Sequence, residues 1–165
     1  MASEARAKGA DRFAQAARDA GLEIDIHRFP EGTRTAADAA RAVGCQLGQI
    51  AKSLVLVADG TPFIALTSGP NRADPWRLAT LLGASDVRMA KADEARQATG
   101  YAIGGTPPFS GSTAWPFRVL VDRDLLNHDV LWAAAGAPDA VFPITPDELV
   151  RLSGGEVADF AQGDR

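Results

Sequence analysis

Residues 50–67, with the sequence IAKSLVLVADGTPFIALT, decide the fold of this chain. They form two runs rich in aliphatic and β-branched residues, separated by Asp59-Gly60. An Asp-Gly pair between such runs is a strong sequence signal for a two-residue hairpin turn. We therefore predict a β-hairpin here.

Helices and further strands surround this hairpin. Helices are predicted from amphipathic spacing, Thr or Asp caps, Pro at the first helical position and Gly at the end. They cover residues 3–20, 36–43, 75–83, 93–100 and 146–152. Apolar runs predict strands over residues 22–29, 85–90, 116–121, 130–135 and 140–144, with a last short segment near 157–160. Strands outnumber helices and short turns join many of them. We expect one α+β domain over residues 1–165, with a mixed, strongly curved sheet.

Composition excludes several classes of protein. The chain has 165 residues, 46% of them hydrophobic, which suits a globular domain. A single cysteine, Cys45, excludes a disulfide framework, and two histidines, His27 and His128, make a structural metal site unexpected. No apolar run is long enough to span a membrane, and the N-terminus lacks the apolar core of a signal peptide. We expect a cytoplasmic protein with no membrane partner.

The charge is unevenly distributed. The formal net charge is −4, but residues 1–127 carry 15 basic and 14 acidic side chains, whereas residues 128–165 carry two and seven. The acidic excess therefore lies in the last quarter of the chain. The rest can present a local basic patch to nucleic acid.

Lys52 is the most informative single position. It shares one face of the first hairpin strand with Ile50, Leu54 and Leu56, in a chain that has three lysines, Lys8, Lys52 and Lys91. Two interpretations stay open. Its ammonium group lies at the mouth of an apolar pocket, or it extends into water at a strand edge, where lysines commonly prevent aggregation.

A glycine-rich loop, residues 100–109 (GYAIGGTPPF), is the second candidate. The adjacent Gly104 and Gly105 allow close approach of a ligand and can direct amide N–H groups at a carbonyl or phosphate oxygen. The loop lacks the endings of a P-loop and of a GxGxxG fingerprint. A structural turn is the competing interpretation. The segment Ser68-Gly69-Pro70-Asn71-Arg72 is a weaker candidate for lining a site.

In order, these residues resemble the YbaK/prolyl-tRNA synthetase insertion-domain family of aminoacyl-tRNA deacylases. The likeness covers about residues 5–160, and its matching segments are QIAKSLVL (49–56), TGY (99–101), Gly104-Gly105 with Pro108, LVD (120–122) and Ala135-Gly136.

This resemblance implies a curved, barrel-like mixed sheet flanked by helices, with a central pocket. It implies hydrolysis of the ester between a wrong amino acid and the 3′ end of a tRNA, usually the proline tRNA, without a metal or an organic cofactor. Aminoacyl-tRNA is the implied partner, with prolyl-tRNA synthetase as a further candidate, and DNA is not expected. Lys52, Gly104 and Gly105 take the catalytic positions. We assign substrate binding to His27, Phe29, Ser53, Thr67, Ser68, Thr106, Pro108, Ala135 and Gly136.

Three positions bear on which amino acid is removed. Many family members have Tyr in place of Phe29, alanine-editing members tend to have Asn in place of Ser53, and the cysteine-specific branch has an acidic residue near Val141. These departures point away from Cys and Ala. The Pro-Pro after Gly104-Gly105-Thr106 resembles a branch that edits small aliphatic or hydroxylated amino acids, which gives 2-aminobutyrate, Ser and Thr as alternatives. Pocket shape decides among them.

Two other functions fit the same sequence. The first is a non-catalytic tRNA- or synthetase-binding module of the same fold, with arginines such as Arg72, Arg77 and Arg88 binding tRNA without turnover. The second is a protein that binds a small ester or an amino acid and is indifferent to tRNA.

Overall fold

The computed structural model describes residues 2–29, 35–110 and 114–163, with side chains from residue 8 onward. The helices are α1 (Ala2–Asp19), α2 (Ala36–Val43), α3 (Pro75–Leu82), α4 (Ala92–Thr99) and α5 (Pro146–Ser153). The strands are β1 (His27–Arg28), β2 (Ile50–Ala58), β3 (Thr61–Ser68), β4 (Val87–Met89), β5 (Val119–Asp122), β6 (Leu131–Ala134), β7 (Ala140–Ile144) and β8 (Glu156–Ala158). Short 3₁₀ helices lie at Leu47–Gln49 and Arg123–Asn127.

The strands form one mixed sheet in the order β1-β7-β6-β2-β3-β5-β8, and β4 also pairs with β2. The β2–β6, β3–β5 and β5–β8 pairs are parallel, and the others are antiparallel. This topology confirms the expected α+β class with a curved mixed sheet flanked by helices.

The predicted hairpin is confirmed as β2 and β3. Asp59 and Gly60 have positive φ angles of 48° and 85°, as a two-residue turn of type I′ requires. The Asp59 carboxylate also accepts hydrogen bonds from the amides of Ser85 and Asp86 at 2.8–3.1 Å. The turn therefore anchors the start of β4 beside β2.

The predicted strand over residues 22–29 is mostly wrong. Only His27–Arg28 pair as β1, with Ala140 and Val141 of β7. Leu22, Ile24 and Ile26 are partly buried against the core. Their alternation reflects side-chain burial in an extended segment that finds a neighbouring strand only at its end.

Helices cover both faces of the sheet. On one face Phe13 of α1 packs against Phe109 and Phe142, with ring centroids 5.5 and 5.2 Å apart, and Leu149 of α5 joins the same cluster. On the other face, Leu78 of α3 lies in a second cluster with Leu56 and other residues of β2, β3 and β5. None of the described helices is both long and apolar enough to cross a membrane.

Candidate active site

A cavity opens where β2 lacks a neighbour along part of one edge. β3 pairs with the opposite edge over residues 51–58, but on this edge β6 pairs only with Ile50 and Ala51 and β4 only with residues 56–58. The Ala90 amide donates to the Val55 carbonyl at 3.0 Å. Residues 52–54 are therefore left without a strand partner on this side, among the described residues.

The cavity over this free edge has a volume of about 230 Å³ and a mostly apolar lining. Its lining comes from α2, β2, β4, β6, the glycine-rich loop and the β6–β7 region: Thr35, Ala36, Ala39, Ile50, Ala51, Lys52, Ser53, Leu54, Val55, Met89, Ala90, Ile103, Gly104, Thr106, Trp132, Ala134, Pro138 and Val141.

Lys52 places an ammonium group in this apolar surrounding. Its side chain is partly buried, and Nζ donates to the main-chain carbonyl of Asn71 at 2.7 Å. Burial lowers the pKa of Lys52 below its usual value, because the charged form loses hydration. The Asp122 carboxylate opposes this change, and the Arg72 guanidinium adds to it. Lys52 is thus a cation whose orientation and charge are controlled by its neighbours.

The carbonyl that receives Lys52 is itself held in place. The Asn71 side-chain amide donates to Asp122 and to Asp124, each at 2.8 Å. Asp122 is fully buried and also accepts from the amides of Ser68 and Asp124 at 3.0 Å. This network fixes the loop after β3, which carries the Lys52 acceptor. The sequence singled out Asn71 only as part of a weak loop candidate.

Ser53 presents its main chain to the cavity. The residues on either side of a two-residue turn form a hydrogen-bonded pair. Every second residue of β2 counted back from Ala58, including Lys52 and Leu54, therefore makes its main-chain hydrogen bonds to β3. The amide and carbonyl of Ser53 then point to the free edge, as the Val55 carbonyl does. The Ser53 hydroxyl is buried and has no hydrogen-bond partner among the described residues.

The glycine-rich loop contributes one glycine to the cavity and uses the other for packing. Gly104 is exposed, has a φ of 87° and lines the cavity. The Gly105 amide donates to the Ala102 carbonyl at 2.9 Å, and a Cβ on Gly105 would lie 2.8 Å from the Ala137 Cα. The amide of Gly105 is thus engaged within the loop, and Gly104 is the glycine of the pair that lies at the cavity.

Four other predicted site residues differ in position. Thr106 lines the cavity and is buried. Pro108 is buried and does not line the cavity. His27 does not line the cavity: its ring packs edge-on against Trp132, with ring centroids 5.0 Å apart, and Nε2 lies 2.9 Å from an Asp25 carboxylate oxygen. Phe29 is partly buried, and its main-chain N–H donates to the main-chain carbonyl of Asp139. Of the four, the structure therefore brings only Thr106 to the cavity lining.

Thr67 and Ser68 lie at the end of β3, beside Lys52 of β2. Thr67 is fully buried opposite Lys52 in the hairpin, and Ser68 donates from Oγ to the Gly48 carbonyl at 2.8 Å. Neither lines the cavity. Both residues are positioned to support the loop that carries Asn71.

Ala135 and Gly136 pack against α1 rather than lining the cavity. A Cβ on Gly9 would lie 2.1 Å from the Gly136 carbonyl oxygen, and a Cβ on Gly136 would lie 2.4 Å from that of Gly9. Ala135 is fully buried in the same region. These two residues therefore let the helix cross the β6–β7 turn closely.

Several lining residues were not identified as site residues from the sequence. Ala36 and Ala39 lie on one face of α2, and Ala39 packs in a cluster with Ile50 and Trp132. Met89 and Ile103 line the cavity and are exposed. Small residues on the inner face of a short helix are a signal for a cavity wall, but the sequence alone does not reveal what that face packs against.

Of the three arginines named as candidates for binding tRNA, two are paired with carboxylates. Arg88 forms a two-point pair with Glu94 at 2.7 and 2.9 Å, and Arg77 lies 3.9 Å from Asp74 and 3.7 Å from Asp159. Arg72 is exposed and close enough to Lys52 to lower the pKa of that lysine. Arg72 is thus the best placed of the three to meet an anion at the cavity.

Comparison with known proteins adds a family to this geometry. Residues 30–152 match the family of the aminoacyl-tRNA editing domain. The uncharacterized protein YwhH of Bacillus subtilis is 30% identical over 132 residues, which are 79% of this chain and 82% of YwhH. The proline–tRNA ligase of Acidithiobacillus ferrooxidans is 34% identical over 132 residues. The match covers 80% of this chain but 23% of that ligase.

A solved structure shares the fold over nearly the whole chain. It is described as a "putative trans-editing enzyme for prolyl tRNA synthetase", is 42% identical, and superposes with a TM-score of 0.86 over 94% of this chain and 98% of the other.

Proposed function

The chain belongs to the aminoacyl-tRNA editing domain family, and we propose that it removes a wrongly attached amino acid from a tRNA by hydrolysing the ester bond at the 3′ end. The observation that carries this proposal is Lys52, a partly buried ammonium group held at the unpaired edge of β2 inside a cavity. The curated proline–tRNA ligases that match are several times longer than this chain. We propose that the substrate is a mischarged proline tRNA and that editing occurs in trans, in the cytoplasm, because the solved relative that is 42% identical is described as a "putative trans-editing enzyme for prolyl tRNA synthetase".

The reaction needs little from the protein. Water adds to the ester carbonyl carbon, the bond to the ribose oxygen breaks, and that oxygen leaves as a hydroxyl with a proton. Lys52 can stabilise the negative charge that develops on the carbonyl oxygen, and the Gly104 amide can donate to the same oxygen. Both groups act by orienting an ester that is already activated.

No general base is evident at this site. Among the described residues that line the cavity, none carries a carboxylate or an imidazole. We propose that a group of the substrate, its amine or its neighbouring ribose hydroxyl, helps to position the water. The main-chain amide and carbonyl of Ser53 at the free edge of β2 are suitable partners for such polar groups.

The amino-acid side chain fits the end of the cavity beside α2. That end is lined by Ala36, Ala39, Ile50, Trp132 and Val141, so it is apolar. We propose that it takes a small non-cognate amino acid carried by a proline tRNA. 2-Aminobutyrate, Ser and Thr are the candidates.

A panel of proline tRNAs mischarged with different amino acids tests this function. We expect the wild-type chain to release at least one small amino acid, and Lys52→Ala to lower the rate by a hundredfold or more, in line with loss of an oxyanion partner. Lys8→Ala is the matched control, because Lys8 is exposed on α1 far from the cavity lining. Equal rates for wild type and Lys52→Ala would contradict the proposal. Saturable tRNA binding without turnover would support the binding module instead.

A further inference from the structure

Two exposed apolar side chains line the cavity. Met89 is the last residue of β4 and Ile103 belongs to the glycine-rich loop. Both line the cavity, and they are 54% and 56% exposed. Single exposed apolar residues are ordinary on protein surfaces. Here two of them lie at the opening of a cavity that contains the partly buried Lys52.

Main-chain contacts hold the backbone of both residues in position. Met89 pairs with Leu56 of β2, and the next residue, Ala90, donates to the Val55 carbonyl. Ile103 lies inside the turn that the Gly105 amide closes onto the Ala102 carbonyl. The exposed apolar surface is therefore a fixed feature of the cavity mouth.

Met89 lies at the opposite end of the cavity from the apolar part beside α2. Along β2, Ile50 is beside β6 and α2, Val55 is beside β4, and Lys52 lies between them. An ester whose carbonyl meets Lys52 and whose acyl chain enters the end beside α2 would extend its alcohol part toward Met89, and Ile103 is the other exposed large apolar side chain of the lining. In an aminoacyl-tRNA that part is the terminal adenosine.

We propose that Met89 and Ile103 form an adenine subsite that holds the base of the terminal nucleotide between them. This inference rests on the proposed function. A purine ring is flat and has two apolar faces, so it can cover both side chains at once. The methionine sulfur is polarisable and packs well against aromatic rings, and base stacking in single-stranded nucleic acid recognition does not depend on sequence.

The experiment compares three esters of one amino acid: the aminoacyl-tRNA, the aminoacyl-adenosine and the ethyl ester. We expect the double variant Met89→Ser/Ile103→Ser to raise KM about tenfold to a hundredfold for the first two, the range for loss of one base contact. The kcat/KM for the ethyl ester, which has no base, should stay at the wild-type value. Met89→Leu and Ile103→Leu should keep most of the affinity.

Leu81→Ser on α3 is the matched control, because Leu81 is 42% exposed and does not line the cavity. It should leave all three esters unaffected. An equal loss on the ethyl ester would overturn the subsite, because the two side chains would then serve the fold or Lys52. A loss confined to aminoacyl-tRNA would also overturn it and would indicate contact with another part of the tRNA or with a protein that delivers it.

Failure of the proposed function gives a different result. If the wild-type chain hydrolyses none of the esters, a binding experiment tests the subsite by itself. Calorimetry then measures the binding of an adenosine analogue in which a stable 3′ amide replaces the ester bond to the amino acid. Saturable binding that the double substitution weakens tenfold or more supports an adenine subsite. Equal binding by the wild type and the double variant, or no binding, overturns it.

Discussion

Lys52 lies between two groups of opposite charge, Asp122 and Arg72, and both act on its ionisation. Burial lowers the pKa of Lys52, Asp122 raises it and Arg72 lowers it further. The ammonium form is the one that can stabilise a carbonyl oxygen. The rate should therefore fall on the alkaline side as this lysine loses its proton, at a lower pH than an exposed lysine would require.

Neutral substitutions of these two groups should move that alkaline limb in opposite directions. Asp122→Asn removes the charge that raises the pKa of Lys52, so activity should be lost at a lower pH than in the wild type. Arg72→Gln removes a repulsive charge, so activity should persist to a higher pH. The measurement is kcat/KM as a function of pH for the three proteins.

Asp122 also has a structural role, which a stability measurement separates from the effect on pH. It is fully buried and accepts from Ser68, Asn71 and Asp124, so Asp122→Asn should cost about 1–3 kcal/mol of unfolding free energy. Arg72 is exposed, so its substitution should leave stability nearly unchanged. Shifts of both variants in the same direction would show that Lys52 is not the titrating group.

Among the elements, α2 forms the wall of the cavity at the end where we propose that the amino-acid side chain binds. Ala39 is buried and lines the cavity, whereas Ala40 is buried in the same helix without lining it. Ala39→Val adds two methyl groups to the space for the acyl side chain. We expect it to lower kcat/KM at least tenfold for the preferred substrate, and less for glycine as the acyl group.

Ala40→Val is the control for that substitution, because it also overpacks the helix interface. Both variants should lose some stability, but only Ala39→Val should change the ranking of amino acids. An identical ranking in the two variants would mean that the acyl group lies elsewhere in the cavity.

The contact between α1 and the β6–β7 turn depends on two glycines. A Cβ on Gly9 would overlap the Gly136 carbonyl oxygen at 2.1 Å, and both partners are main chain, so neither can rotate away. Gly9→Ala should therefore lower the unfolding free energy by about 1–3 kcal/mol, although alanine is the better helix former. Thermal unfolding measures this, with Lys8→Ala as the control. Gly9→Ala should leave KM unchanged, which a substrate-binding role for Gly136 would not allow.

Most elements were predictable because their signals are local. Turn, cap and helix-stop residues such as Gly60, Asp74 and Thr145 act on their immediate neighbours. Residues 22–26 were not, because their alternation fits a strand equally well whether or not a partner strand is adjacent. The sequence pattern records burial, while pairing depends on where β7 lies.

For the whole molecule, the site was predictable only in part. Lys52, Ser53, Gly104 and Thr106 meet at one cavity, and each belongs to a segment that the family resemblance marks. Asn71, Ala39 and Met89 come from other segments of the chain, and Ile103 belongs to the glycine-rich loop but has no local signal that marks it as a lining residue. Their roles follow from the gap between β4 and β6 along β2, which is a property of sheet order and not of any one segment.

The distribution of charge over the whole molecule predicts how strongly salt affects tRNA binding. Arg77 and Arg88 are each close to carboxylates, and residues 128–165 carry seven acidic and two basic side chains. Each phosphate neutralised by a basic side chain contributes about −0.7 to −0.9 to the slope of log affinity against log salt. We therefore expect a shallow slope of about −1 to −3, as for contacts confined to the 3′ end. Measurement of KM for aminoacyl-tRNA at increasing potassium chloride concentration gives this slope.

The three arginines should differ in their effect on the slope. Arg72→Gln should make the slope less steep by nearly one, whereas Arg77→Gln and Arg88→Gln should change it little, because their charges are already compensated. A slope steeper than about −6 would instead require an extended basic surface that grips the body of the tRNA.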